Sequence, residues 1–155
     1  MPNLRPNRLR SIPRIHTPTF TWNPEGHPVG TLILTLPLPG RRVSPNATRG
    51  QSKKAAVIKS RHIKNHRTRA RLITLAAIGD KIGVTFHGYT LHFHWPTAAY
   101  RDDDNADASF KSYRDGIAQA LNIDDRHLRR LHLSTHQKDP TNPRLEIHLH
   151  PLSLP

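Results

Sequence analysis

Between Tyr100 and His127 the chain reads YRDDDNADASFKSYRDGIAQALNIDDRH. Seven of its 11 acidic residues fall in this window, as Asp102, Asp103, Asp104, Asp107, Asp115, Asp124 and Asp125. The chain as a whole carries 24 Lys plus Arg and a formal net charge of +13. Carboxylates gathered on so cationic a chain suit one kind of chemistry. Hydrolysis of a phosphodiester is assisted by a hard cation that polarises the phosphate and activates water. Mg²⁺ takes oxygen ligands, usually one or two carboxylates completed by water and substrate phosphate. A basic surface would attract the polyanion, and an acidic pocket would hold the metal. The same residues also fit a plainer reading, in which they cap a helix and form surface ion pairs. Asp107, Lys111 and Asp115, for instance, are spaced i, i+4, i+8, as exposed helix pairs are.

The rest of the composition narrows the class. A length of 155 residues allows one domain with a real core. The excess of positive charge points to a polyanionic partner, nucleic acid first and an anionic membrane surface second. With no cysteine, disulfides and thiolate metal sites are excluded. MPNLRPNRLRSIPRIH lacks the apolar stretch of a secretory signal. No apolar run approaches the ~20 residues that span a bilayer, so the expected location is the cytoplasm and no membrane partner is expected.

Positioning the acids requires a scaffold. Residues 1–29 form a basic, proline-rich tail, with Arg5, Arg8, Arg10 and Arg14 available to contact phosphates and Phe20 and Trp22 able to dock on the domain. Thr31–Leu36 (TLILTL) reads as a buried strand, and Leu38–Gly50 as a loop set by Pro37, Pro39, Gly40 and Pro45. From Gln51 to Ile78 there is no Pro or Gly. Ala55, Ile58, His62, Ile63, Leu72 and Leu75 give a helical stripe there, and basic residues cover the rest. Tyr89–Trp95 alternates as a strand with Tyr89, Leu91, Phe93 and Trp95 inward. Ala106–Leu121 repeats apolar residues at three- and four-residue steps and predicts a second helix. Asp104 or Asn105 would cap it. Leu128–Ser134 and Arg144–Leu149 read as two further strands, joined through DPTNP. The order strand, helix, strand, helix, strand, strand predicts an α+β fold: a two-layer sandwich, with two helices packed on a small mixed sheet.

The window RDDDNADASFKSYRDGIAQALNIDD resembles the RusA family of Holliday-junction resolvases, whose pattern is Asp-x-Asp-Asn before a helix, a lysine within it and Asp-Asp after it. Asp102, Asp104 and Asn105 match the first part, and Asp124 and Asp125 the last. Lys111 matches the lysine, six residues after Asn105 where the family commonly has three. LTLPLPGRRVSPNATRG is similar to the family's first strand, proline turn and Ser-Pro-Asn segment, so the likeness covers roughly residues 31–150. What the resemblance implies is a Mg²⁺-dependent endodeoxyribonuclease, with Mn²⁺ as a substitute, in a RusA-like domain over residues 30–155. It would act as a symmetric homodimer that resolves a four-way DNA junction by paired nicks, in recombination and repair. Asp102, Asp104 and Asp125 would hold the metal, and Lys111 would contact the scissile phosphate. Asn105 would orient a ligand or cap the helix, and Asp103 and Asp124 would support the ligands or face solvent. Arg41, Arg42, Arg49, Lys53, Lys54, Lys59, Arg61, Lys64 and Arg67 are the expected DNA contacts. The rival reading is a non-catalytic nucleic-acid-binding protein with the same fold. Two His-x-His pairs, His92/His94 and His148/His150, suggest a zinc site without establishing one, and a charged histidine face would strengthen DNA binding at low pH.

Overall fold

The computed structural model describes residues 21–22, 24–25, 28–44, 52–79, 86–99 and 102–151. Most of the segment read as a tail, residues 1–20, lies outside these, as do Phe20 and Arg49. Two short strands, β1 (Thr21–Trp22) and β2 (Pro28–Val29), pair antiparallel, and Trp22 packs against the core.

The sheet follows the expected α+β plan. β3 (Leu32–Leu36) is an edge strand, antiparallel to β7 (Arg144–Pro151), which is antiparallel to β4 (Phe86–Trp95). On the far side of β4, β5 (Arg129–Arg130) and β6 (Thr135–Lys138) run parallel to it. Parallel neighbours need a long crossover, and helix α2 (Asp103–Leu121) supplies it between β4 and β5. The long helix α1 (Lys53–Ile78) lies against α2, and together they form the second layer.

Alternation decides which face of the sheet the helices cover. Leu32, Leu34 and Leu36 from β3, Tyr89, Leu91 and Phe93 from β4, and Leu145, Ile147 and Leu149 from β7 are all buried in one cluster. α2 adds Ala106, Phe110, Tyr113, Ile117 and Leu121, the stripe that its sequence spells out. Where the helices cross, Gly116 of α2 meets the carbonyl of Arg67, and an added Cβ would also stand 3.1 Å from the Ala70 Cβ. Tyr113 donates a hydrogen bond of 3.0 Å to the Pro37 carbonyl, which ties the proline turn to α2.

Three sequence expectations change. α2 begins at Asp103, three residues before Ala106, because Asp102 is its N-cap. The strand expected over Leu128–Ser134 is replaced by β5 and β6, on either side of an irregular stretch in which Leu133 is 74% exposed. Leu72, assigned to the inner stripe of α1, is 56% exposed; the helix instead buries Ala70, Thr74 and Ile78.

Candidate nucleic-acid interface and acidic clusters

The acids divide into two groups at opposite ends of α2. At its start, Asp102 accepts a hydrogen bond from the Asp104 amide at 3.0 Å and one from the Asn105 side-chain amide at 3.0 Å. This is N-capping, which satisfies orphan amides of the first turn. The cap is therefore Asp102, in place of Asp104 or Asn105. Asp104 is exposed and has no side-chain partner among the described residues.

Asp103 turns the other way. It accepts from Arg130 at 3.0 Å, from the Ser134 amide at 3.1 Å and from His136 at 3.4 Å, clasping α2 to the segment between β5 and β6. Burial alone would raise its pKa; the hydrogen bonds from Ser134 and His136 and the Arg130 charge outweigh that and hold it below the usual carboxylate value. The neighbouring Asp107 accepts from the Tyr89 hydroxyl at 3.4 Å and lies 3.7 Å from Arg130. Asp103, expected to face solvent or to support the ligands, is engaged in this clasp.

Past the other end, Asp124 caps a short 3₁₀ turn, Asp125–His127, and pairs with Arg126. The hydrogen bond from Arg126 holds the Asp124 carboxyl at about 2. Asp125 pairs with Arg114 at 3.1 Å. A cleft of about 430 Å³ opens here, lined by Arg67, Lys111, Asp115, Gln119, Asp124 and Asp125 among others. Asp115 bridges its two cationic walls, 3.4 Å from Arg67 on α1 and 3.3 Å from Lys111 on α2.

α2 has 19 residues, so its ends stand ~28 Å apart at 1.5 Å per residue. Beyond the helix, however, the chain folds back: Asp125 pairs with Arg114, and Arg130 reaches Asp103. Among the described residues, no three His, Asp or Glu side chains are placed to hold a metal ion together. Asp102, Asp104 and Asp125, expected to bind Mg²⁺, are thus not gathered into one ligand set in this structure. Lys111 lies in the cleft with Asp125, away from Asp102 and Asp104.

The basic residues expected to contact DNA lie mostly on α1. α1 contains no acid from end to end. Lys53, Lys54, Arg61 and Lys64 are exposed, and so are Arg69 and Arg71, which belong to the same surface although they were not expected as contacts. Their place in the helical period was a sufficient signal. Lys59 is engaged with the Ser44 carbonyl at 3.0 Å and Arg67 with Asp115. Arg41 is exposed in the turn Arg41–Val43; the side chain of Arg42 lies outside the described residues.

His92, His94, His148 and His150 fall on the sheet face away from the helices. Their rings are half-buried or buried, and His92 and His148 approach to 4.0 Å between centroids. Glu146 lies 3.5 Å from both His94 and His148 and accepts from Arg144 at 2.7 Å. His94 sits two places along β4 from the His92–Glu146 pair and His148 two places the opposite way along β7. The two imidazoles thus flank the carboxylate from opposite sides, and among the described residues no three His, Asp or Glu side chains are placed to hold a metal ion.

No family model matches the chain. A protein of Xylella fastidiosa, described as uncharacterized, is 38% identical over 96 residues, which are 60% of this chain. The match likewise spans about 60% of that relative's length. No helix among the described residues is long and apolar enough to cross a membrane.

Proposed function

We propose that the protein is a structure-selective endodeoxyribonuclease of the RusA type, one that requires Mg²⁺, with Mn²⁺ able to replace it, and introduces paired nicks into four-way DNA junctions as a homodimer in the cytoplasm. The observation that carries this reading is the junction of two features at Arg67. The acid-free cationic face of α1 leads to a cleft holding Lys111, Asp115, Asp124 and Asp125. Phosphates drawn to α1 would arrive beside carboxylates and a lysine able to face a scissile bond. Past α2 the chain folds back, with Asp125 on Arg114 and Arg130 on Asp103, so the nuclease reading requires Asp125 and the pair Asp102 and Asp104 to be brought onto one metal ion. A chain that binds without cutting is the second reading, favoured by the engagement of Asp102 as a helix cap and of Asp125 with Arg114.

A labelled synthetic four-way junction, incubated with Mg²⁺ or with EDTA beside a plain duplex, separates the two. Paired symmetric nicks only in the junction and only with metal are expected, and Asp104→Asn should abolish them while binding persists. Tight binding with no nicks under Mg²⁺ or Mn²⁺ would leave the binding protein as the correct reading.

A further inference from the structure

The two edges of the sheet are built differently. On one side, β5 is two arginines long, and β6 (THQK) is exposed throughout and ends in Lys138. Short length and charge are the usual protections of an edge strand. On the other side, β3 has neither. Its ladder to β7 runs unbroken through five residue pairs, and among the described residues β3 pairs with no other strand. From Thr31 to Gly40 the sequence TLILTLPLPG carries no charged residue, on a chain of net charge +13. Both prolines of this stretch lie beyond the strand, so every residue of β3 keeps its N–H.

A bare edge of this kind is a template for another strand. Nucleic acid cannot complete a β-ladder and is drawn to charge, which this edge lacks. Residues 1–20 of the same chain are poor donors: prolines at 2, 6, 13 and 18 leave no proline-free run beyond six residues, and that run contains two arginines. A second copy offers an uncharged strand of matching length. The geometry points to antiparallel pairing of β3 with β3 of a second copy, Leu34 lying on the two-fold axis and Ile33 opposite Thr35 of the other chain. Such an interface uses the same patch on both copies, as a two-fold dimer requires.

The pairing has consequences beyond the edge. In an antiparallel ladder, opposed residues share a face, so the inward leucines Leu32, Leu34 and Leu36 of both copies fall on one side of a continuous sheet. The helical layers then lie on that same side. α1 lies next to β3, so two acid-free helices are brought towards each other. Their repulsion opposes the dimer and is screened by salt; the dimer therefore tightens as salt rises, the opposite of phosphate binding. The pairing stands apart from the nuclease reading. Only its role in presenting both α1 helices to one polyanion rests on that reading.

The test uses the full chain and reads its mass by light scattering across protein and salt concentrations. Ile33→Lys with Thr35→Lys places lysine opposite lysine twice in the dimer and leaves both on a half-exposed face in the monomer. Ile33→Glu with Thr35→Lys places glutamate opposite lysine in the same register. Leu133→Lys adds a charge far from β3 at a site already 74% exposed. The wild type and Leu133→Lys should be dimers, the double lysine variant should dissociate at least about tenfold more readily, and the charge-swapped variant should recover. If the lysine variant does not fold, Ile33→Cys with Thr35→Cys decides, since the chain has no other cysteine. Mild oxidation should give a reducible band of twice the mass. A wild type that stays monomeric in high salt, a double lysine variant as dimeric as the wild type, a charge swap that fails to recover, or the absence of the cross-linked band would each overturn the pairing. Nicking plays no part in these readouts, so a dimer without nuclease activity, or nicking without β3 pairing, keeps the two proposals separate.

Discussion

At the scale of single residues, the acids that cluster in sequence do unlike work. Asp103 is 26% exposed in its side chain and holds three partners, so Asp103→Asn should cost about 1–3 kcal/mol of stability at neutral pH. Its folded pKa is depressed. Its contribution is therefore present above the unfolded value of ~3.9 and is lost as pH falls through the lower folded value. Chemical denaturation of wild type and variant should differ at pH 7 and converge in strong acid; a gap that persists there would contradict the clasp. Asp104, one residue on, has only its first-turn position in the helix to lose. Asp104→Asn should change stability by less than about 1 kcal/mol, whatever it does to cleavage. The sequence made the capping role of this segment legible, because an acid before a helical period is a local signal. It could not show that Asp103 turns to Arg130 and Ser134, about thirty residues on, since that contact depends on where the crossover returns the chain. The same limit applies to Asp102, Asp104 and Asp125: the motif places them in order, and only the fold-back of the chain past α2, which sets Asp125 on Arg114, shows where they stand.

At the scale of elements, periodicity carried the buried parts and missed the exposed ones. The stripes of α2 and the alternation of β4 and β7 were readable because each buries one face. β6 was not, because all four of its residues are exposed and none is aliphatic; it is held by backbone pairing with β4 and by polar and ring contacts, Thr135 with His92, Gln137 with His94 and His136 with Phe93 and Trp95. Leu128–Ser134 drew the assignment instead through its apolar residues, of which Leu128 is buried and Leu133 is not. The crossing of α1 and α2 sets up a test in which two effects compete. Glycine inside a helix is worth about 1 kcal/mol less than alanine, so propensity alone makes Gly116→Ala stabilising. The added Cβ, however, would collide with the Arg67 carbonyl, a backbone atom that cannot rotate away. Overpacking of this kind costs about 1–3 kcal/mol, so Gly116→Ala should lower the melting temperature. A rise would mean that the helices are not held this closely.

At the scale of the whole molecule, charge is distributed so that pH and salt act on different faces. On the sheet face away from the helices, burial lowers the pKa of His92, His148 and His150, and mutual repulsion adds to it for His148 and His150. The fold thus favours their neutral forms. Their share of stability is complete above the unfolded value of ~6.5 and declines as pH falls below it. Urea unfolding should show a lower free energy at pH 5.5 than at pH 7.5, and a gain on acidification would count against this face. For these three rings a charged histidine surface would form only at lower pH than free imidazoles would give, because burial favours the neutral forms. The cations of α1 need no such help. Lys53 to Arg71 spans ~27 Å of helix, with six exposed basic side chains and no acid between them. If all six reach phosphates of a duplex arm, the logarithm of the binding constant should fall against the logarithm of salt with a slope of about −5, at about 0.9 per contact. Arg61→Ala with Lys64→Ala should flatten that slope by about 2 and weaken binding to every DNA sequence alike, because phosphate contacts position without reading bases. An unchanged slope would remove α1 from the interface, whereas a flatter slope with unchanged junction preference would place the choice of structure elsewhere. In the proposed β3-paired dimer the spacing of two such helices would supply that choice, since one helix alone meets every duplex arm in the same way.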